Sequence, residues 1–207
     1  MTRAKICGIN SVFAYDAAMR AGADWVGFVF FDRSPRVISV SDAATLVRRQ
    51  PDGPRKVGLF VDPTDMAIEM TLSALNLDIL QIYAPIERAR DIRRTFGRPV
   101  WHAVGVSKPA DLPIEMNGVD GFLIEAKAPQ GADRPGGNGA IFDWSIPKNW
   151  QAPGFWLLAG GLNPANVTQA IAASGATAVD VSSGVEHERG LKSSALITAF
   201  VKAAHAA

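Results

Sequence analysis

Cysteine is nearly absent: the 207 residues hold one thiol, Cys7. One cysteine cannot close an internal disulfide, which fits a reducing compartment. Excess charge is lacking too. Twenty-one Lys and Arg stand against 20 Asp and Glu, a formal net charge of +1. With no block of basic residues and interleaved aromatics, the electrostatic source of nucleic-acid binding is missing. No apolar run approaches the roughly 18 residues of a membrane span. The first residues, MTRAKICGIN, carry no apolar core ahead of a small-residue cleavage site. The expectation is a cytoplasmic protein with neither nucleic acid nor membrane as a partner. Histidine is scarce as well. His102, His187 and His205 do not cluster with other ligands at metal-like spacing, which predicts no metal.

What the chain has is alternation. Short apolar runs lie at 4–7, 25–30, 56–61, 78–82, 100–104, 121–124, 155–159 and 178–181. They are too short for helices and apolar on both faces, as strands are in a parallel sheet covered on both sides. Amphipathic segments follow at 11–20, 41–49, 63–75, 85–96, 163–173 and 193–204. On the first, Val12, Tyr15, Ala18 and Met19 share a face. Pro63 suits a first helical turn. Eight strand–helix units, with strands mostly beginning about 20 residues apart, predict a single (β/α)₈ barrel spanning 1–207, near the short end of that fold's size range. An open doubly wound sheet is the alternative, and no dinucleotide fingerprint supports it. The Gly- and Pro-rich stretch after the sixth strand reads as a long functional loop, because the alternation resumes beyond it without a shift in composition.

A barrel places its chemistry at the C-terminal ends of the strands. Cys7 ends the first strand, just before Gly8. It is either a buried apolar cysteine or a thiol facing the mouth, able to act as base or nucleophile if a nearby cation lowers its pKa. Glu125 ends the sixth strand, as simple strand-end solvation or as a placed acid. Asp180 lies inside the last strand, where a charge is costly unless paired or functional. Asp78 reads as a turn residue. Arg36, in FDRSPRVIS, could grip a carboxylate or phosphate with its fork, or be a surface arginine. Glycine turns follow strands seven and eight. Gly160 and Gly161 in the first, with Ser182, Ser183 and Gly184 in the second, could cradle a phosphate with backbone N–H groups.

Together KICGI, GADWVGFVFFDRSPRVIS, VGLFVD, PGGNGAIFDW, LAGGLNPANV and AVDVSSGVE resemble the phosphoribosylanthranilate isomerase family of tryptophan biosynthesis. The motifs fall in the family's order from residue 5 to beyond 190. The resemblance implies a (β/α)₈ barrel without a cofactor, a phosphorylated small-molecule substrate, and a monomer or homodimer. It implies an Amadori rearrangement of N-(5-phosphoribosyl)anthranilate, with Cys7 as general base and Glu125 as general acid. Arg36, Asp180 and Tyr83 are implied at the substrate. The turns after strands seven and eight, with Gly137 and Gly139 of PGGNG, are implied at its phosphate. The loop 130–139 is expected to be mobile and to close over the phosphate end.

Two positions depart from the family pattern. Glu125 stands where the family usually has aspartate. Gln81-Ile82-Tyr83-Ala84 stands in place of a Gln-Leu-His-Gly run at the end of strand four. They keep two other functions in view: an isomerase of a related phosphosugar amine with a remodelled pocket, and a phospholigand-binding protein without catalysis.

Overall fold

The computed structural model describes residues 1–127 and 143–207. Gly137, Gly139 and the loop 130–139 lie outside the described residues. Eight parallel strands close into a barrel in sequence order. They are β1 (Arg3–Cys7), β2 (Trp25–Phe30), β3 (Arg55–Val61), β4 (Ile79–Tyr83), β5 (Val100–Val106), β6 (Gly121–Ala126), β7 (Trp156–Leu158) and β8 (Ala178–Val181). β1 pairs with both β2 and β8, which closes the ring. A short antiparallel pair, β9 (Glu186–Glu188) and β10 (Leu191–Lys192), follows β8.

Six α-helices lie among the described residues: α1 (Val12–Arg20), α2 (Val40–Arg49), α3 (Asp65–Ala74), α4 (Ile86–Phe96), α5 (Val167–Ser174) and α6 (Ser194–Ala206). Alternation suggested eight units, and the β5–β6 connection shows where that count fails. It holds only a one-turn 3₁₀ helix, Pro109–Asp111. Pro113 follows at once, and a proline disfavours the helical region for the residue before it. Side-chain oxygens set the starts of α1, α2, α3 and α6. Ser11, Ser39, Thr64 and Ser193 accept from the backbone N–H three residues on. Pro63 therefore lies ahead of the cap of α3, outside its first turn. On α1 the buried face is Ala14, Tyr15, Ala17 and Ala18, while Val12 is exposed. Small alanines let this helix sit close against the strands.

An aspartate recurs at the start of each even strand before β8. Asp24, Asp78 and Asp120 each accept, through a carboxylate oxygen, from the backbone N–H of Ala4, Lys56 and Val100 on the preceding strand, at 2.8, 2.7 and 2.8 Å. Each also donates its own N–H to that residue's carbonyl, at 2.9, 2.9 and 2.8 Å. These aspartates lie at the N-terminal face, where barrel residues serve stability.

Strand alternation sends every second side chain inward. Trp25, Trp101 and Phe155 fill the lower interior, with ring centroids 5.3 to 5.9 Å apart. Arg3 caps them, its guanidinium 4.8 Å from the centroids of both Trp25 and Phe155. The bottom is thus plugged by apolar and cation–π packing. The inward polar side chains collect higher up: Lys5 and Cys7 on β1, Gln81 and Tyr83 on β4, Glu125 on β6, Asp180 on β8. No helix among the described residues is long and apolar enough to cross a membrane.

Candidate active site

Cys7 is buried at the C-terminal end of β1, with Lys5 two residues below it on the same face. Gly27 on β2 makes room for both. A Cβ there would lie 3.0 Å from the Cys7 Sγ and 3.1 Å from the Lys5 Nζ. The Lys5 Nζ donates to Asp180 Oδ1 at 2.8 Å and also to the thiol. Burial works against the Lys5 charge, but Asp180 and Cys7 outweigh it and hold the ammonium above its ordinary value. Burial likewise pushes the Cys7 thiol up. Lys5 and Lys192 pull it down without prevailing, and Asp180 adds to the rise. The cations that the thiol needs are in place, yet burial outweighs them and favours the protonated thiol.

Across the mouth, the Tyr83 phenol donates to the carboxyl group of the buried Glu125. Gln81, fully buried, donates from Nε2 to the Tyr83 Oη at 3.4 Å. Burial first, then the charges of Glu125 and Cys7, raise the phenol well above its ordinary pKa.

Arg36 is buried and faces a carboxylate, but the protein's own. Its Nε and Nη2 donate to the two carboxylate oxygens of Glu186 at 2.6 and 2.9 Å. Its aliphatic stem lies over Gly8, which has φ +78°, and a Cβ on Gly8 would meet Arg36 Cδ at 2.7 Å. Glu186 also accepts from Lys192 Nζ at 2.8 Å and from the Gly190 N–H at 3.0 Å. Lys192, itself buried, donates to the Ser182 carbonyl at 2.9 Å. The β9–β10 hairpin thereby ties the loop after β2 to the turn after β8.

Burial alone would raise Glu186, but Arg36 and Lys192 bring its carboxyl down to about 2. An unfolded glutamate protonates near 4.5. The stabilisation is therefore full above that pH and is lost as pH falls toward 2, on the order of 3 kcal/mol. Chemical denaturation from about pH 5 down to about pH 2 is expected to show that loss. Glu186→Gln, less stable at pH 7, is expected to show a flatter profile. An unchanged profile would contradict the assignment.

The two glycine turns are in contact. Gly160 and Gly161 have φ +88° and +66°, and the Gly161 carbonyl accepts from Asn166 Nδ2 at 2.9 Å. The Leu162 carbonyl leans on Gly184 so closely that a Cβ there would collide with it. Ser182 precedes the 3₁₀ turn Ser183–Val185, in which Gly184 is central. Two strand-end turns thus form one rim beside Cys7's side of the mouth.

The histidines lie elsewhere. His102 Nε2 is 2.9 Å from the Ala84 carbonyl, and His205 approaches Asp24 at the opposite face of the barrel. Among the described residues no group of three metal-ligating side chains gathers.

Lys5, Gln81, Glu186 and Lys192 were not among the residues singled out in the sequence. A period-2 argument finds two of them: Lys5 shares a face with Cys7, and Gln81 with Tyr83. Nothing local marks Lys192.

Residues 4–203 match the family model described as N-(5'phosphoribosyl)anthranilate (PRA) isomerase. The chain belongs to this isomerase family. It is 58% identical to the N-(5'-phosphoribosyl)anthranilate isomerase of Acidiphilium cryptum (strain JF-5) over 207 residues, 100% of both chains. The crystal structure of phosphoribosyl anthranilate isomerase from Thermotoga maritima superimposes with TM-score 0.86 at 35% identity, covering 100% of each chain. A crystal structure of a phosphoribosyl anthranilate isomerase in complex with reduced 1-(o-carboxyphenylamino)-1-deoxyribulose 5-phosphate matches with TM-score 0.83 at 34% identity, again over 100% of each chain. Membership makes the chain an isomerase of tryptophan biosynthesis, as its motifs imply. It also confirms the barrel family to which the eight strands belong.

Proposed function

We propose that the chain rearranges N-(5-phosphoribosyl)anthranilate to 1-(2-carboxyphenylamino)-1-deoxyribulose 5-phosphate, with Glu125 as general acid and Cys7 as general base. The observation that carries this reading is the disposition of two buried proton carriers. Cys7 is the last residue of β1 and Glu125 the penultimate residue of β6, and Tyr83 is hydrogen-bonded to Glu125 and feels the charge of Cys7.

Glu125 gives its proton to the ribose ring oxygen. The bond from that oxygen to C1 breaks, and the anthranilate nitrogen lone pair forms a C1–N double bond. The resulting iminium acidifies the C2 proton, and Cys7 removes it. The electrons shift to form an enolamine. Protonation at C1 and loss of the C2 hydroxyl proton then give the ketone. No redox partner is required. The thiol, held up by burial, meets a positive nitrogen in the opened intermediate, and a nearby opposite charge favours the thiolate. Acid and base work here because their environments differ, one beside a phenol donor and the other beside an ammonium.

Two of the five Arg36 donors go to Glu186, and the rest are available to the anthranilate carboxylate. Asp180 and Tyr83 line the sugar side. Gly160, Gly161, Ser182, Ser183 and Gly184 present the rim that would take the phosphate; Gly137 and Gly139 are proposed to join it.

The test follows the loss of phosphoribosylanthranilate fluorescence on addition of the purified protein. Turnover at ordinary enzymatic rates, about 1 s⁻¹ or faster, is expected. No turnover of this substrate alongside turnover of another phosphosugar amine would overturn the assignment.

A further inference from the structure

We propose that Tyr83 is a positioning residue for Glu125: its phenol, aimed by Gln81, holds the carboxyl at the mouth and stabilises the negative charge left when the proton departs. This rests on the reading of Glu125 as the general acid.

Two contacts fix the phenol and a third fixes its backbone. Tyr83 and Gln81 alternate on β4 and both face inward. A phenol has one proton to give. Because Glu125 receives it, the Gln81 contact at 3.4 Å must run from the amide N–H to the phenol oxygen, which sets the amide's orientation. Behind the side chain, the Tyr83 carbonyl accepts from the Asp62 N–H at 2.9 Å. Asp62 adopts φ +43° to make that contact, a conformation uncommon outside glycine, though less so for aspartate.

The phenol stays protonated through the working pH range, since burial, Glu125 and Cys7 all raise it. It is therefore a donor to Glu125 in every step. A hydrogen bond to a charged acceptor is roughly twice as strong as one to a neutral acceptor. The bond from Tyr83 strengthens as Glu125 becomes a carboxylate, so it favours the transition state over the bound substrate. Among the described residues, the other titratable groups acting on Tyr83 are Cys7 from β1 and Asp180 from β8, and Lys5 of β1 is paired with both of these. The neighbouring β5 offers Gly105 opposite Glu125, and β7 leads into Ala159.

The experiment compares kcat, KM and the pH profile of kcat for wild type, Tyr83→Phe, Gln81→Met and Glu125→Gln. Tyr83→Phe is expected to lower kcat on the order of 10-fold with KM within about 2-fold. The alkaline limb of kcat, where Glu125 loses its proton, moves to higher pH, because the carboxylate has lost a donor that favoured its charged form. A merely structural phenol would leave that limb in place. Gln81→Met keeps the phenol and removes its aim. It is expected to move kcat and the limb in the same direction by about 3-fold and less than one unit, and it decides the matter if Tyr83→Phe does not fold. Glu125→Gln separates the two ideas. If it retains near wild-type turnover, the acid assignment itself is wrong. If it is inactive while Tyr83→Phe and Gln81→Met keep both kcat and the limb, the acid stands and the positioning role falls.

Discussion

Cys7→Ala is expected to lower kcat by about 10³-fold, within the usual 10²–10⁴-fold range for removing a general base, while thermal stability and binding of a non-reacting phosphorylated product analogue change little. The thiol is small and buried, so its loss leaves only a minor void beside Gly27. Its catalytic loss is large because the titratable neighbours of the thiol are engaged with each other: Lys5 is held as an ammonium by Asp180 and Cys7 against the effect of burial, and Asp180 accepts from the Lys5 ammonium at 2.8 Å. The pH dependence carries the sign. In the free enzyme, Cys7 lies above its ordinary value, with burial the chief cause. The thiolate fraction therefore rises with pH, and so does kcat/KM on its acid limb, which reports free-enzyme groups. Stopped-flow or steady-state fluorescence from about pH 6 to 9 reads that limb. It is expected to disappear in Cys7→Ala, whose residual rate would be flat. A Cys7→Ala enzyme within about 3-fold of wild type would remove Cys7 from the reaction.

The barrel was legible because its strands are short, apolar and evenly spaced, and the β2 and β8 spans read from the residues coincide with those in the structure. The unit count misled because alternation of strands does not require a helix in every crossover. At 109–118 two prolines, a glycine and a one-turn 3₁₀ helix complete the connection. At the mouth, Cys7, Glu125 and Asp180 drew attention in the sequence because strand ends and charges inside strands are unusual, and Tyr83 because it departs from the family pattern; the structure brings all four to the inner face of the barrel. The partners were less so. Arg36 reads as a fork awaiting an anion, but the sequence does not reveal that Glu186, 150 residues away, fills one edge of it. That pairing comes from barrel closure, which sets the hairpin after β8 beside the loop after β2. Lys192 has the same origin: a lysine before a helix cap is ordinary until the hairpin folds it onto Glu186.

The Lys5–Asp180 pair offers the largest expected effect on stability. Lys5 is fully buried and the Asp180 side chain is 8% exposed, with 2.8 Å between Nζ and Oδ1. Asp180→Ala leaves a buried ammonium with only a thiol beside it, a change that costs about 3–5 kcal/mol when one partner of a buried pair is removed. For a chain of this length, where each kcal/mol shifts the midpoint by about 2–4 °C, Tm is expected to fall by roughly 6–20 °C. The double variant Lys5→Met/Asp180→Leu removes both charges and is expected to regain most or all of the loss, since apolar replacements of buried pairs are often neutral or stabilising. Differential scanning calorimetry of wild type, the single variant and the double variant completes the cycle. A Tm for Asp180→Ala within about 2 °C of wild type, or a double variant no better than the single, would contradict this account. The activity of the double variant then carries the functional conclusion. Its fold has no need of the charges, but its thiol has lost the ammonium that pulls it toward the thiolate. Full stability with a kcat/KM lowered on the order of 10-fold, and an acid limb moved to higher pH, would mean that this pair is kept inside the barrel for Cys7 and not for the fold.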